Sequence, residues 1–330
     1  MTQAPETTSA ATVRNVQNAG SAAGPKAGPG AAGTAGTGNW GRFGSDDERG
    51  TLNLLTPEVV LEATRVCRTG KVYNLGLPVQ RHGVPVYEHR GAPQRLTLTG
   101  QTDRDQFTPY GADPGVGATE DVLIIPTHNG THMDALCHVF RDGQMYNGHS
   151  ADELTTMNGA PRCGIEKTGG FAARAVLLDI PRHQGVDWLP PGYPISADEL
   201  EACRAAQGVE LRPGDVLLVR TGWLELRPTL KPGEIGVVGE PGLAASTAAF
   251  VRDHDLAAVG ADNGAIECIP FDGPFLVLHM ELLLRLGVTL LEHLQLGEMA
   301  ADGCHEALLV VAPLLITGGS GSPVNPIAIG

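Results

Sequence analysis

Apolar residues in this chain gather in short runs bounded by turn formers, at 122–125, 175–180, 216–220, 257–260, 288–291 and 308–316. Runs of this length, aliphatic and β-branched, predict the strands of a buried sheet. Helical signals lie between them. Thr56-Pro57-Glu58 supplies an N-cap, a first-turn proline and an acid ahead of periodically apolar positions, which predicts a helix ending at Gly70. Ser196-Ala197-Asp198-Glu199 is a capping box, and the helix it opens is expected to stop at Gly208. Two more helices are expected over 244–255 and 279–286. The alternation of the two element types describes an α/β protein.

Two stretches depart from this pattern. Residues 1–38 are mostly Ala, Gly, Thr and Ser, with Met1, Val13 and Val16 as core-forming side chains. Such a segment buries too little surface to offset its ordering entropy, so a disordered tail over 1–38 is expected, followed by one folded domain over 39–330. From 101 to 120 the chain is polar and rich in Gly and Pro. That predicts a long loop of the kind that covers or lines an active site.

Composition narrows the function. Lys plus Arg number 23 against 37 Asp plus Glu, for a net charge of −14. Phosphate-rich partners require clustered positive charge, so neither nucleic acid nor an anionic membrane is an expected partner. No apolar run is long enough to span a bilayer. The six cysteines, Cys67, Cys137, Cys163, Cys203, Cys268 and Cys304, show no paired spacing. With an N-terminus that lacks the basic start and apolar core of a secretory signal, they point to a reducing cytoplasm.

The densest chemistry is His128-Asn129-Gly130-Thr131-His132-Met133-Asp134-Ala135-Leu136-Cys137-His138. Eleven histidines in 330 residues give roughly 0.37 per eleven-residue window by composition alone, and this window holds three plus an aspartate. One such histidine is ordinarily a satisfied polar group. Several imidazoles and a carboxylate together are costly to bury without a metal or complete hydrogen bonding. His-x3-His on a helix would resemble a zinc-protease motif, but Asn129 stands where that motif needs Glu, and Gly130 and Thr131 disfavour a helix. The pair is therefore expected at a strand end and the following loop. There His132 and Asp134, two apart in extended chain, face the same way. With His128 they form a set of two imidazoles and a carboxylate suited to Zn, Mn or Fe, with positions left for water and substrate. His138 remains for proton transfer. Glu292, in the apolar run Leu290-Leu291-Glu292, is expected to have a cationic partner, and His293 would face away from it if the run is a strand. Cys137 reads as packing, and Gly318-Gly319-Ser320-Gly321-Ser322, lacking the lysine of a phosphate loop, as a tight turn.

The eleven-residue motif resembles the H-x-G-T-H-x-D-x-P-x-H signature of the metal-dependent cyclase family, which includes kynurenine formamidases and isatin hydrolases. Arg220-Thr221-Gly222-Trp223, Gly260-Ala261-Asp262, His279 with Leu282-Leu283, Leu290-Leu291-Glu292 and 318–324 look like its later blocks. The resemblance implies a swivelling β/β/α fold and hydrolysis of a small amide, cyclic amide or imide, or N-formyl arylamine. It implies His128, His132 and Asp134 as ligands of a first ion, His138 as the catalytic histidine, and Asp134, His279 and Glu292 around a second. One or two divalent ions, Zn or Mn, are expected as cofactor, a small molecule as substrate, and a homodimer or homotetramer as assembly. Aromatic residues are scarce, which makes Trp40, Phe107, Tyr110, Phe140 and Trp223 the candidates for a planar-substrate wall. A bound ion would acidify water and polarise a carbonyl, with His138 carrying the proton. A metal-dependent cyclase or lyase of a biosynthetic pathway uses the same groups on a carbon-bound proton, and a non-catalytic metal scaffold would bind without turnover.

Overall fold

The computed structural model describes residues 38–82, 84–85, 87, 89–231 and 239–330. The expected tail falls almost wholly on residues 1–37, outside that range. Thirteen strands occur among the described residues: β1 (Val72–Asn74), β2 (Gln94–Thr99), β3 (Glu120–Ile124), β4 (His132–Asp134), β5 (Phe171–Asp179), β6 (Pro194–Ile195), β7 (Val216–Arg220), β8 (Gly242–Leu243), β9 (Ala258–Ala261), β10 (Thr289–Glu292), β11 (Glu306–Val311), β12 (Gly321–Pro323) and β13 (Ile327–Ile329). Nine of them pair into one curled, mixed sheet in the order β1-β13-β11-β5-β7-β9-β10-β4-β12. The central β5, β7, β9 and β10 run parallel, and the flanking pairs are antiparallel. Parallel strands are covered on both faces. Accordingly Val176, Leu177, Leu178, Val216, Leu217, Leu218, Val259 and Leu290 are all fully buried. The fold is α/β, as the sequence predicts.

Local signals place several elements correctly. Ser196 Oγ accepts from the Glu199 amide at 3.3 Å while Glu199 Oε2 accepts from the Ser196 amide at 2.9 Å, and the helix Ala197–Gln207 stops at Gly208 with φ of 68°. The first helix is shorter than expected. It runs Pro57–Ala63 and tightens into a 3₁₀ turn, Thr64–Val66, because the Thr64 hydroxyl donates to the Leu61 carbonyl at 2.7 Å and competes with the helical ladder. The helix expected over 244–255 spans Thr247–Asp253. The one expected over 279–286 begins as Val277–His279 and continues as a π-helix, Met280–Leu286. The run 308–316 yields β11 only to Val311, since Pro313 cannot donate to a ladder, and Leu314 and Leu315 are 58% and 67% exposed.

One expected strand lies elsewhere. The run 122–125 forms β3, which pairs with β2 in a separate two-stranded sheet and not in the core. The loop 101–120 is the long connection of that hairpin, containing two 3₁₀ turns. No helix among the described residues is long and apolar enough to cross a membrane.

Candidate metal centre

The chain leaves β3 at Ile124, turns through 125–131, and starts β4 at His132. The two histidines of the motif therefore sit in a turn and on the next strand, a different placement from the strand end and following loop expected. Gly130 makes this turn with φ of 61°. β4 lies between β10 and β12 with Glu292 directly opposite His132 and Gly321 opposite Asp134. Strand parity puts His132 and Asp134 on one face, and cross-strand pairing brings Glu292 to the same face. Met133 and Leu291 occupy the other face and are fully buried.

The imidazoles and carboxylates converge closely. His128 Nδ1 is 2.8 Å from Asp134 Oδ1, and His132 Nε2 is 3.6 Å from the same oxygen and 3.0 Å from Glu292 Oε2. His279 Nε2 lies 3.3 Å from Glu292 Oε1 and 3.7 Å from Asp134 Oδ2. The His138 ring stacks on His128 with centroids 4.0 Å apart. Two sets of ligand atoms lie within 4.8 Å of one another: His128, His132 and Asp134, and Asp134, His138 and His279. Asp134 belongs to both. The five expected ligands and His138 are thus brought together from the turn, β4, the segment after it, the Val277–His279 helix and β10.

Outer contacts aim these rings. His132 Nδ1 meets the Gly130 carbonyl at 2.8 Å, leaving Nε2 toward the carboxylates. His279 Nδ1 meets Glu267 Oε1 at 2.6 Å. His128 Nε2 meets Ser320 Oγ at 3.0 Å. A Cβ at Gly321 would stand 2.6 Å from His128 Cε1, so only glycine leaves room for that ring. The closing segment turns only as far as Ser320, a shorter turn than expected, because Gly321 and Ser322 pair with β4 as part of β12; Ser320 and Gly321 also wall the site.

Electrostatics test whether a cation fits. Asp134 and Glu292 are 0% and 2% exposed. Burial pushes the Asp134 carboxyl up, but His138, His128 and His132 outweigh it and hold it well below the usual carboxylate range. Burial and Asp134 likewise push Glu292 up, and His132 and His279 hold it low. Burial opposes charge on His132 and His279, yet the facing carboxylates raise both, His279 to about 10. Asp134, Glu292 and Glu267 are all sealed from water and need compensating positive charge. Imidazolium rings supply it, and so do divalent ions, which leave the rings neutral with Nε2 lone pairs to coordinate. His132 Nε2, Asp134 Oδ2 and Glu292 Oε1 are all buried without a hydrogen-bond partner. This nitrogen and oxygen donor set, with these atoms aimed inward, fits a divalent metal ion.

His138 differs from its neighbours. Burial, with the charges of His128 and His279 adding to it against the pull of Asp134, lowers it to about 4, so it is neutral at pH 7. Cys137 is buried and its thiol is pushed up to about 12 by burial, in keeping with packing. His293 does not alternate away from Glu292 as a strand residue would. β10 ends at Glu292, His293 has φ of 54°, and its ring lies 6.4 Å from that of His132.

The proposed aromatic wall is not assembled at this cluster. Tyr110 is 88% exposed on the hairpin connection with Phe107, and Phe140 is 55% exposed. Trp40 donates Nε1–H to the Leu284 carbonyl at 2.7 Å, fastening the π-helix after His279. Trp223 is sealed at 1% exposure and offers no face to a ligand. Among the described residues, the aromatic ring that meets the edge of the cluster is Tyr87, 6.0 Å from His293, with its hydroxyl 3.2 Å from Glu240 Oε1. Tyr87, Glu240, Glu267 and Ser320 were missed from sequence. Glu267 alone carried a signal, an acid within Ile266-Glu267-Cys268-Ile269 that invites the burial argument applied to Glu292.

A cyclase-like α/β fold with a buried histidine and carboxylate cluster at the edge of its main sheet defines the class. A family model described as Putative cyclase matches residues 73–268, and the chain belongs to that family. The matched stretch contains the 128–138 motif and stops short of His279 and Glu292. A solved structure described as a novel cyclase aligns with a TM-score of 0.80 and 35% identity, covering 89% of this chain and 100% of the other. Isatin hydrolase A from Labrenzia aggregata, bound to benzyl benzoate, aligns at 0.56 with 16% identity over 78% of this chain and 93% of its own. A predicted metal-dependent hydrolase from Bacillus stearothermophilus aligns at 0.50 with 21% identity over 78% and 97%. At these lower identities the likeness is one of fold. No curated protein matches the chain in sequence.

Proposed function

We propose that the protein is a metal-dependent hydrolase of a C–N bond outside peptides, acting on a small amide, a cyclic amide or imide, or an N-formyl arylamine. The observation that carries this reading is the convergence of three buried atoms, His132 Nε2, Asp134 Oδ2 and Glu292 Oε1, which meet at ion-pair distances without a well-aligned hydrogen bond, beside a neutral, partly buried His138. His128, His132 and Asp134 would hold one ion, and Asp134, His279 and Glu292 a second. A divalent ion there supplies Lewis acidity toward a carbonyl oxygen and acidifies water.

The chain's own groups supply the rest. His138, unprotonated on one ring nitrogen, accepts the proton of the attacking water and returns it to the departing nitrogen. Its stacking on His128 holds the ring beside Asp134. The names of the isatin hydrolase neighbours are in keeping with amide-ring opening. Assaying the purified protein, loaded with zinc or manganese, on a panel of amides, imides and lactones tests the reading. Metal-dependent cleavage of the C–N bond of an amide or imide supports it, and cleavage of lactones alone overturns it. Ring closure or water loss without amide cleavage, or metal binding without any turnover, overturns it.

A further inference from the structure

Glu267 lies outside the ligand set, yet the chain reaches it through unusual backbone. Ile266 is β-branched and fully buried, and it has φ of 57°. Left-handed conformations of such residues are rare and persist where the surroundings demand them. The turn at Ile266 carries Glu267, 1% exposed, under the start of the Val277–His279 helix. There Glu267 Oε2 accepts from the Leu278 amide at 3.1 Å, and Oε1 accepts from the His279 amide at 3.2 Å and from His279 Nδ1 at 2.6 Å. The Asn263 side chain donates from Nδ2 to the Glu267 carbonyl at 3.1 Å, so the backbone is tied as well. That helix has no side-chain cap from its own preceding residue, Leu276.

A neutral imidazole carries one proton, and the nitrogen that carries it cannot bind a metal. A carboxylate against Nδ1 keeps the proton there and leaves the Nε2 lone pair toward Asp134 Oδ2 and Glu292 Oε1. We propose that Glu267 is a positioning residue for a metal subsite, selecting the tautomer and ring orientation in which His279 coordinates through Nε2. His132 has the same device in weaker form, a neutral carbonyl from Gly130 in place of a charged carboxylate. This inference rests on the metal reading of His279, and its test separates the two.

Zinc or manganese affinity of the full chain is measured by competition with a chromophoric chelator for the parent, Glu267→Gln, Glu267→Ala and His279→Ala, with thermal unfolding of each chelator-stripped protein recorded in parallel. Glu267→Gln keeps an oxygen for Nδ1–H but loses the charge and turns an N–H₂ toward the Leu278 amide. It is expected to weaken the ion shared by His279 about 10-fold, and Glu267→Ala up to about 100-fold, the usual range for a lost outer partner. His279→Ala should abolish that same binding. If Glu267→Ala does not fold, Glu267→Gln decides. Parent-like affinity in the Glu267 variants, with binding lost in His279→Ala, would reduce Glu267 to a helix cap and overturn the proposal while leaving the metal reading standing. Parent-like binding in His279→Ala would remove His279 from the ligands and overturn both.

Discussion

β4 and β3 are both short strands flanking one turn, and their fates are opposite. His132, Met133 and Asp134 are fully buried between β10 and β12. In β3, Leu123 and Ile124 are 50% and 55% exposed, and its partner β2 leaves Leu96 and Leu98 45% and 57% exposed. Leu96, Val122 and Ile124 share one face of the hairpin, the other carries Leu123 beside Arg95 and Asp121, which pair at 2.6 Å, and the register shifts at Leu98, between Thr97 and Thr99. The more polar strand is the one in the core. Burial follows the sheet neighbours a strand finds: β10 sets Glu292 opposite His132, and β12 sets Gly321 opposite Asp134, where the missing side chain leaves room for the His128 ring.

The largest expected effect breaks the β4 side. His128→Ala and Asp134→Ala should each lower metal affinity more than about 100-fold, beyond what outer partners cost, with loss of turnover; elemental analysis showing parent stoichiometry in both would sink the ligand assignment. His138→Ala should keep fold and metal yet lose about 10²- to 10⁴-fold in turnover. Metal loss in that variant would make His138 a ligand in the Asp134, His138 and His279 set, and undiminished turnover would remove it from the chemistry.

Stability sharpens the comparison. Leu290→Ala, in the sealed core, should cost about 2–5 kcal/mol in urea titration. Leu98→Ala on the hairpin should stay within about 0.5 kcal/mol. A penalty for Leu98→Ala as large as for Leu290→Ala would mean that the hairpin's apolar face is covered in solution.

The smallest effect concerns pH. Burial lowers His138 to about 4 and His293 to about 3, from an ordinary 6.5. Between those values and pH 6.5 the unfolded chain binds more protons than the folded one. Stability from these rings is therefore complete above pH 6.5 and is lost as pH falls toward 4 and 3. A nearby bound cation lowers both further and keeps the sign. Denaturation midpoints should fall between pH 6.5 and 4.5, and His293→Gln should flatten part of the slope; an unchanged slope would place the acid sensitivity elsewhere.

Much of the site was legible because local rules govern it. The i, i+2 spacing of His132 and Asp134 puts them on one face of any strand, and Glu292 announced itself as an acid in an apolar run. The placement of β3 was not legible, since its apolar residues suit a buried sheet and an amphipathic hairpin equally. Nor was the aromatic wall: ring identity says nothing about where a ring ends up, and Trp223 is sealed while Tyr110 stands in solvent.

By itself the sequence determined what covalent geometry and nearest neighbours control: the α/β alternation, the capped helix Ala197–Gln207, and a cluster of imidazoles and carboxylate too dense to be accidental. Tertiary structure decided which distant groups complete it. Glu292 faces His132 because β10 pairs with β4 in that register. Gly321 makes room for His128 across 193 positions, and Glu267 reaches Nδ1 of His279 only because the backbone at Ile266 is held left-handed by the packing around it. Such meetings depend on the summed free energy of the whole sheet and its coverings, which no local window of residues contains.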